Sequence, residues 1–148
     1  MRCLAQGWQR EGARVVLVPT MGALHAGHLS LIHRARKVVG DMGIVVVSIY
    51  VNPMQFNDAK DLRAYPRPVA ADKKLCRAEG VDVVFAPLSL YEKDSSVSID
   101  ETVLSLGMEG KARPGHFRGV ATVVVKLCNL VQPTAAVFGE KDWQQAAL

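Results

Sequence analysis

Cysteine is scarce in this 148-residue chain, and Cys3, Cys76 and Cys128 stand far apart. Three widely spaced thiols argue against a disulfide framework and a cysteine-based zinc site, and they fit a reducing compartment, the cytoplasm. Aromatic residues are few, at 6%. No apolar run approaches the roughly 18 residues that a membrane-spanning helix needs. The opening Met1–Gln6 carries one basic residue and no apolar block behind it, unlike a secretory leader. Charge of neither sign dominates: the net value is +4, and Lys and Arg are scattered. A solvated surface or a small anionic ligand accounts for that excess as well as a nucleic acid does. The expectation is therefore small-molecule partners, with no nucleic acid and no membrane.

Several chemistries are also missing. There is no G-x-x-x-x-G-K-[ST] phosphate loop, no G-x-G-x-x-G dinucleotide fingerprint, no HExxH pair and no G-x-S-x-G elbow. His25, His28, His33 and His116 lack acidic or thiol companions at zinc-like spacing, so no metal ligand is assigned.

What is present is enough apolar sequence for a sizeable core, 49% of the chain. Residues 3–10 read as a short helix. Arg14–Val18 is a β-branched run that Pro19 is expected to close, because the residue before proline is pushed to extended geometry. A helix is expected over 27–39, with Gly40 as its cap, and Ile44–Ile49 forms the next strand. Residues 52–66 read as a loop, 69–78 as a helix and 81–85 as a third strand. Residues 87–98 read as a surface loop and 119–131 as an apolar helix stopped near Pro133. Residues 135–138 form a fourth strand, and a last helix opens near Asp142. Buried-type strands separated by helices predict an α/β fold, a Rossmann-like doubly wound parallel sheet with helices on both faces. Ligands bind such sheets beyond the carboxyl ends of the strands. That rule gathers residues 19–28, 50–56 and 139–145 at one edge. The chain stops a few residues into its last helix, so it reads as a fragment.

A phosphate-binding protein without the usual loops needs another device, and His25-Ala26-Gly27-His28 offers one. It follows the first strand and opens a helix, whose free N–H groups and partial positive charge attract phosphate. Imidazoles three residues apart share a face, and each can donate to a phosphate oxygen. Gly27 has no Cβ, so a nucleotide can lie against the backbone. The plainer alternative is that His28 caps the helix and His25 is a loop residue.

The run from Val18 to Leu31, VPTMGALHAGHLSL, resembles the signature of the pantothenate synthetase (pantoate–β-alanine ligase) family, within the HxGH nucleotidylyltransferase superfamily. Three further blocks resemble that family in the same order: Val47–Phe56 (VSIYVNPMQF), Arg113–Val120 (RPGHFRGV) and Phe138–Gln145 (FGEKDWQQ). The resemblance implies an AMP-forming ligase. Pantoate and ATP, with Mg²⁺, give pantoyl adenylate and pyrophosphate. β-Alanine then attacks the mixed anhydride, giving pantothenate and AMP. It further implies that Met21, Gly22, Ala23, Leu24, His25, Ala26, Gly27 and His28, with Gly139, Glu140, Lys141 and Asp142, bind ATP. His28, His25 and Lys141 are its implied catalytic groups, and Gln55, Gln145, Met21 and Asn52 its implied pantoate-binding groups. A homodimer through this domain is implied as well. The whole chain, 1–148, is then the nucleotide- and pantoate-binding N-terminal domain. Trp143 stands where Phe or Tyr is commoner in the family. The family's initial strand, its later Ser-Ser-Arg-Asn segment and its lid domain are missing. Two rival roles stand beside these. Asp142-x-x-Gln145 has capping-box spacing, and Arg113 and Arg118 either support phosphate or fold their own loop.

Overall fold

A computed structural model describes residues 1–148. Helix α1 (Arg2–Arg10) leads into strand β1 (Val15–Thr20), helix α2 (Ala26–Val39) and strand β2 (Ile44–Ile49). Helices α3 (Ala59–Ala64) and α4 (Val69–Ala78) precede strand β3 (Val83–Phe85). Helices α5 (Met108–Ala112) and α6 (His116–Val131), strand β4 (Ala135–Ala136) and helix α7 (Trp143–Ala147) complete the chain. The four strands form one sheet in the order β3-β2-β1-β4, with every pairing parallel. The chain winds outward from β1 through β2 to β3, then returns to place β4 on the other side of β1. The order therefore reverses between β1 and β4, and such a reversal opens a crevice at the carboxyl ends of its strands.

Alternation along the central strands builds a core on each face. Val16, Val18, Val45, Val47 and Ile49 pack with Ile32, Ala35 and Val39 of α2 and Cys76 of α4. Val15, Leu17, Val46 and Tyr50 face the other way, onto Val123, Leu127 and Val131 of α6, with Trp8 of α1 at the margin. Each fully buried Val or Leu contributes about 1.5–3 kcal/mol relative to exposure. The expected doubly wound sheet, covered on both faces, is the one observed.

Several boundaries differ from the sequence reading, each for a local reason. Strand β1 does not close at Val18 but continues through Pro19 to Thr20. Carbonyls of Val15 and Leu17 accept from the β4 side, those of Arg14 and Thr20 from the β2 side. Pro19 shares the parity of Val15 and Leu17, so its missing N–H faces β4, whose pairing has already ended at Leu17. Strand β3 starts two residues late because Val81 N–H bonds back to the Cys76 carbonyl and finishes α4 instead. Strand β4 spans two residues, although Val137 N–H still reaches the Leu17 carbonyl. Helix α6 begins at His116, three residues early, after Gly115 in a left-handed conformation (φ 83°). The stretch read as a loop over 52–66 contains a 3₁₀ turn at Pro53–Gln55 and the helix α3, which buries none of its residues.

Candidate active site

The segment between β1 and α2 leaves the sheet through two left-handed residues, Gly22 (φ 83°) and Ala23 (φ 51°). A Cβ at Gly22 would meet Asp72 Oδ2 and Ile49 Cγ2, both at 3.0 Å, so glycine is required there on two grounds. Gly22 N–H donates to Thr20 Oγ1 at 3.1 Å, and that hydroxyl donates to the Ser48 carbonyl at 2.7 Å.

The two imidazoles then form a reciprocal cap on α2. His25 is the N-cap residue, and its Nδ1 accepts from Gly27 N–H at 3.1 Å. His28 Nδ1 accepts from His25 N–H at 3.3 Å. This is the geometry of a capping box, with histidines at both of its positions. A nitrogen that accepts cannot carry the ring proton, so in both rings the proton sits on Nε2. Neither Nε2 has a partner in the chain, and two N–H donors are left to an incoming ligand. The rings lie side by side, with centroids 4.1 Å apart and planes inclined at 43°. Gly27 serves the rings as well as any ligand: a Cβ there would come 2.9 Å from His25 Cε1. Burial lowers the His28 pKa below the ordinary 6.5, and the neighbouring His25 lowers it further. Asp72 and Asp142 pull the other way, while Lys141 reinforces the depression.

The Asn52–Gln55 turn follows β2 and is held with little freedom. Asn52 is fully buried. Its Oδ1 accepts from Met54 N–H (3.3 Å) and from the Tyr91 hydroxyl (3.0 Å). Its Nδ2 donates to the Gly119 carbonyl (3.0 Å) and to Gln55 Oε1 (2.9 Å). The Asn52 amide is thus spent inside the protein, and it orients Gln55 instead of facing solvent. Gln55 Oε1 is committed to Asn52, while Gln55 Nε2 has no partner in the chain and remains a donor. The Gln55 carbonyl accepts from Arg113 Nη2 (3.1 Å) and His116 Nδ1 (2.9 Å), which joins the second and third sequence blocks. Gly119 lets α6 approach this turn: a Cβ there would lie 2.4 Å from the Met54 carbonyl oxygen.

The Gly139–Asp142 loop follows β4 and runs beside α2, since a Cβ on Gly139 would stand 3.8 Å from Leu31 Cδ1. The Lys141 side chain is 89% exposed, and its Nζ stands 3.8 Å from Asp142 Oδ1. Asp142 is the N-cap residue of α7, but its side chain makes no capping hydrogen bond. Gln144 and Gln145 divide cleanly. Gln144 is buried, accepts from Glu109 N–H (2.9 Å) and donates to the Leu104 (2.8 Å) and Gly107 (2.9 Å) carbonyls. Gln145 is half-buried, and its amide makes no hydrogen bond within the chain.

The imidazole box follows β1, the Gly139–Asp142 loop follows β4 and Gln55 follows β2, so all three lie beyond the carboxyl ends of neighbouring strands, on the side where such sheets bind ligands. Strands β2 and β4 stand roughly 10 Å apart, two strand spacings of ~4.8 Å. Arg113 pairs with Glu109 at 2.8 Å besides donating to the Gln55 carbonyl, and Arg118 holds Ser98 at 2.8 and 2.6 Å, so both guanidinium groups have partners within the chain. No group of three or more His, Cys, Asp or Glu is arranged to hold a metal ion. Sequence reasoning missed Asp72, which is 1% exposed and accepts from Ala23 N–H (2.9 Å) and Leu24 N–H (2.8 Å). The available signal was its i,i+4 spacing to Cys76, which places an acid on the buried face of α4.

The pattern of the family described as Pantoate-beta-alanine ligase matches residues 1–148. The chain belongs to that family. A pantothenate synthetase of Akkermansia muciniphila is 54% identical over 141 residues, which are 94% of this chain and 50% of that protein. One of Aliivibrio fischeri is 52% identical over 147 residues, 97% of this chain and 50% of that protein. The crystal structure of a Thermus thermophilus pantothenate synthetase superimposes with a TM-score of 0.83 at 48% identity, covering 89% of this chain and 48% of that one. A Francisella tularensis pantoate-beta-alanine ligase, complexed with beta-gamma ATP and beta-alanine, gives 0.86 at 40% identity, covering 93% and 52%. The chain spans about half the length of the relatives it matches. No helix is long and apolar enough to cross a membrane.

Proposed function

We propose that this ligase-family chain is the nucleotide- and pantoate-binding domain of a cytoplasmic enzyme that joins pantoate to β-alanine. One observation carries the reading: two imidazoles locked through Nδ1, with their Nε2–H donors unpartnered, at a helix N-terminus that follows the strand where the order reverses. Polyphosphate is the ligand that such a place suits. ATP would lie over Met21–His28 and against Gly139–Asp142. Gln55 would offer its Nε2–H to an oxygen of pantoate, with Gln145 reaching it from the β4 side and Met21 below. Asn52 then acts by orienting Gln55.

Catalysis follows from what these groups do. A carboxylate is a poor electrophile, and transfer of AMP gives it a good leaving group. In the first step a pantoate carboxylate oxygen attacks the α-phosphorus and the bond to pyrophosphate breaks. His25, His28 and Lys141 stabilise the charge that builds on the phosphate oxygens. In the second step the β-alanine amine attacks the carbonyl carbon, AMP leaves with the bonding pair, and the amine loses a proton. A Mg²⁺ ion that arrives with ATP would be held chiefly by its phosphates. The homodimer implied by the sequence resemblance is retained in this proposal.

Calorimetry tests the reading directly. The chain is expected to bind magnesium–ATP and pantoate saturably, and failure to bind either one overturns the assignment. Because the chain spans half the length of its relatives, a second reading is a module that binds both ligands with slow turnover. Single-turnover pyrophosphate release separates the two. A third reading, an HxGH nucleotidylyltransferase acting on another acid, requires that Gln55→Ala leave pantoate affinity untouched.

A further inference from the structure

We propose that Asp72 is a positioning residue for nucleotide binding: its carboxylate pins the Ala23 and Leu24 amides and so holds the His25–His28 pair at the mouth of the crevice. The inference rests on the ATP-binding role proposed above and adds to it a residue from α4, outside the four sequence blocks.

The argument starts from cost. A buried carboxylate is unfavourable unless its charge is answered by hydrogen bonds or a cation. Asp72 is 1% exposed and takes part in no ion pair. Both of its oxygens instead accept from consecutive backbone N–H groups, Ala23 at 2.9 Å and Leu24 at 2.8 Å. Hydrogen bonds to an ionised acceptor are the strong ones. They are made to a segment that needs holding, because Ala23 is a non-glycine residue at φ 51°, a conformation that costs free energy unless its surroundings impose it.

The consequence for the site is directional. Ala23 and Leu24 lie directly before the His25 N-cap, so their placement sets where α2 begins and which way both rings face. The carboxylate also occupies these two N–H groups as an internal anion. A phosphate arriving at this segment therefore meets the imidazole Nε2–H donors and the first turn of α2. Four charged or titratable groups act electrostatically on His28: His25 on its own turn, Asp72 from α4, and Lys141 and Asp142 from the β4–α7 loop. Asp72 is the nearest in effect of the two acids that oppose the depression of the His28 pKa.

Two measurements test this. In the unmodified chain, the Ala23 and Leu24 amides are expected to be protected from hydrogen exchange although they belong to no helix or strand. Exchange at the rate of unstructured amides overturns the proposal without any variant. In Asp72→Asn, one acceptor and the charge are lost at nearly constant volume. Magnesium–ATP affinity is expected to fall at least tenfold, and the His28 ring resonance to titrate at lower pH than before. A lowered melting temperature with ATP affinity and His28 titration both unchanged assigns Asp72 to stability alone and overturns the proposal. Failure of the unmodified chain to bind ATP overturns the function proposed above, while amide exchange still decides whether Asp72 pins the turn.

Discussion

Adjacent glutamines illustrate how much one position changes a residue's work. Gln144 satisfies one N–H and two carbonyls between α7 and the Leu104–Glu109 turn. Gln144→Ala leaves those groups unpaired and is expected to cost about 1–3 kcal/mol in urea unfolding. Gln145→Ala should leave stability within about 0.5 kcal/mol, as for a surface change. It should weaken pantoate binding by about tenfold in calorimetry, the value of one good hydrogen bond to a charged ligand. His28 supplies a pH prediction. Its folded pKa lies below the ordinary 6.5, chiefly through burial, so the unfolded chain takes up the proton first. The stability linked to His28 is therefore complete above pH 6.5 and is lost as pH falls through the lower, folded value. Melting temperatures between pH 8 and 5 should decline through that window, and the decline should be shallower in His28→Gln. Protonation at Nδ1 would also remove the acceptor that His25 N–H uses.

At the scale of elements, docking of the Pro53–Gln55 turn against α6 is set by one missing methyl group. Gly119→Ala brings a Cβ within 2.4 Å of the Met54 carbonyl oxygen and 2.9 Å of Gln55 N. The expected cost is about 1–3 kcal/mol of overpacking strain, read in urea, with loss of pantoate affinity as Gln55 is displaced. The elements also differ in how far the sequence discloses them. Strand β2 and helix α4 are read at their observed bounds, because an unbroken β-branched run and a segment framed by Pro68 and Gly80 are strong local signals. Helix α3 has no buried face and hence no apolar period to read. Helix α5 depends on distant partners, with Gln144 accepting from Glu109 N–H. Strand β1 reads short because the effect of its proline depends on which side the neighbouring strand ends, and no local pattern carries that. Asp72 is only partly legible for a related reason: its i,i+4 spacing to Cys76 sets it on the buried face of α4, but its partners come into view only with the left-handed turn that it holds.

For the whole molecule, ligand binding and stability are one equilibrium. ATP that binds the folded chain and not the unfolded chain stabilises it by about 2.7 kcal/mol at a free concentration one hundred times Kd. A rising melting temperature with added magnesium–ATP is therefore expected. A flat response would contradict nucleotide binding by the folded chain. The sheet's outline has a further consequence. Its two outer strands, β3 and β4, span three and two residues, and the stretch of β1 beyond the reach of β4 contains Pro19, which has no N–H to offer. A second molecule seeking to add a strand would find no continuous row of open backbone groups on either flank. Concentrated solutions should for that reason resist fibril-type aggregation, and Pro19→Val, which restores one donor on the open flank, is the change expected to weaken that resistance.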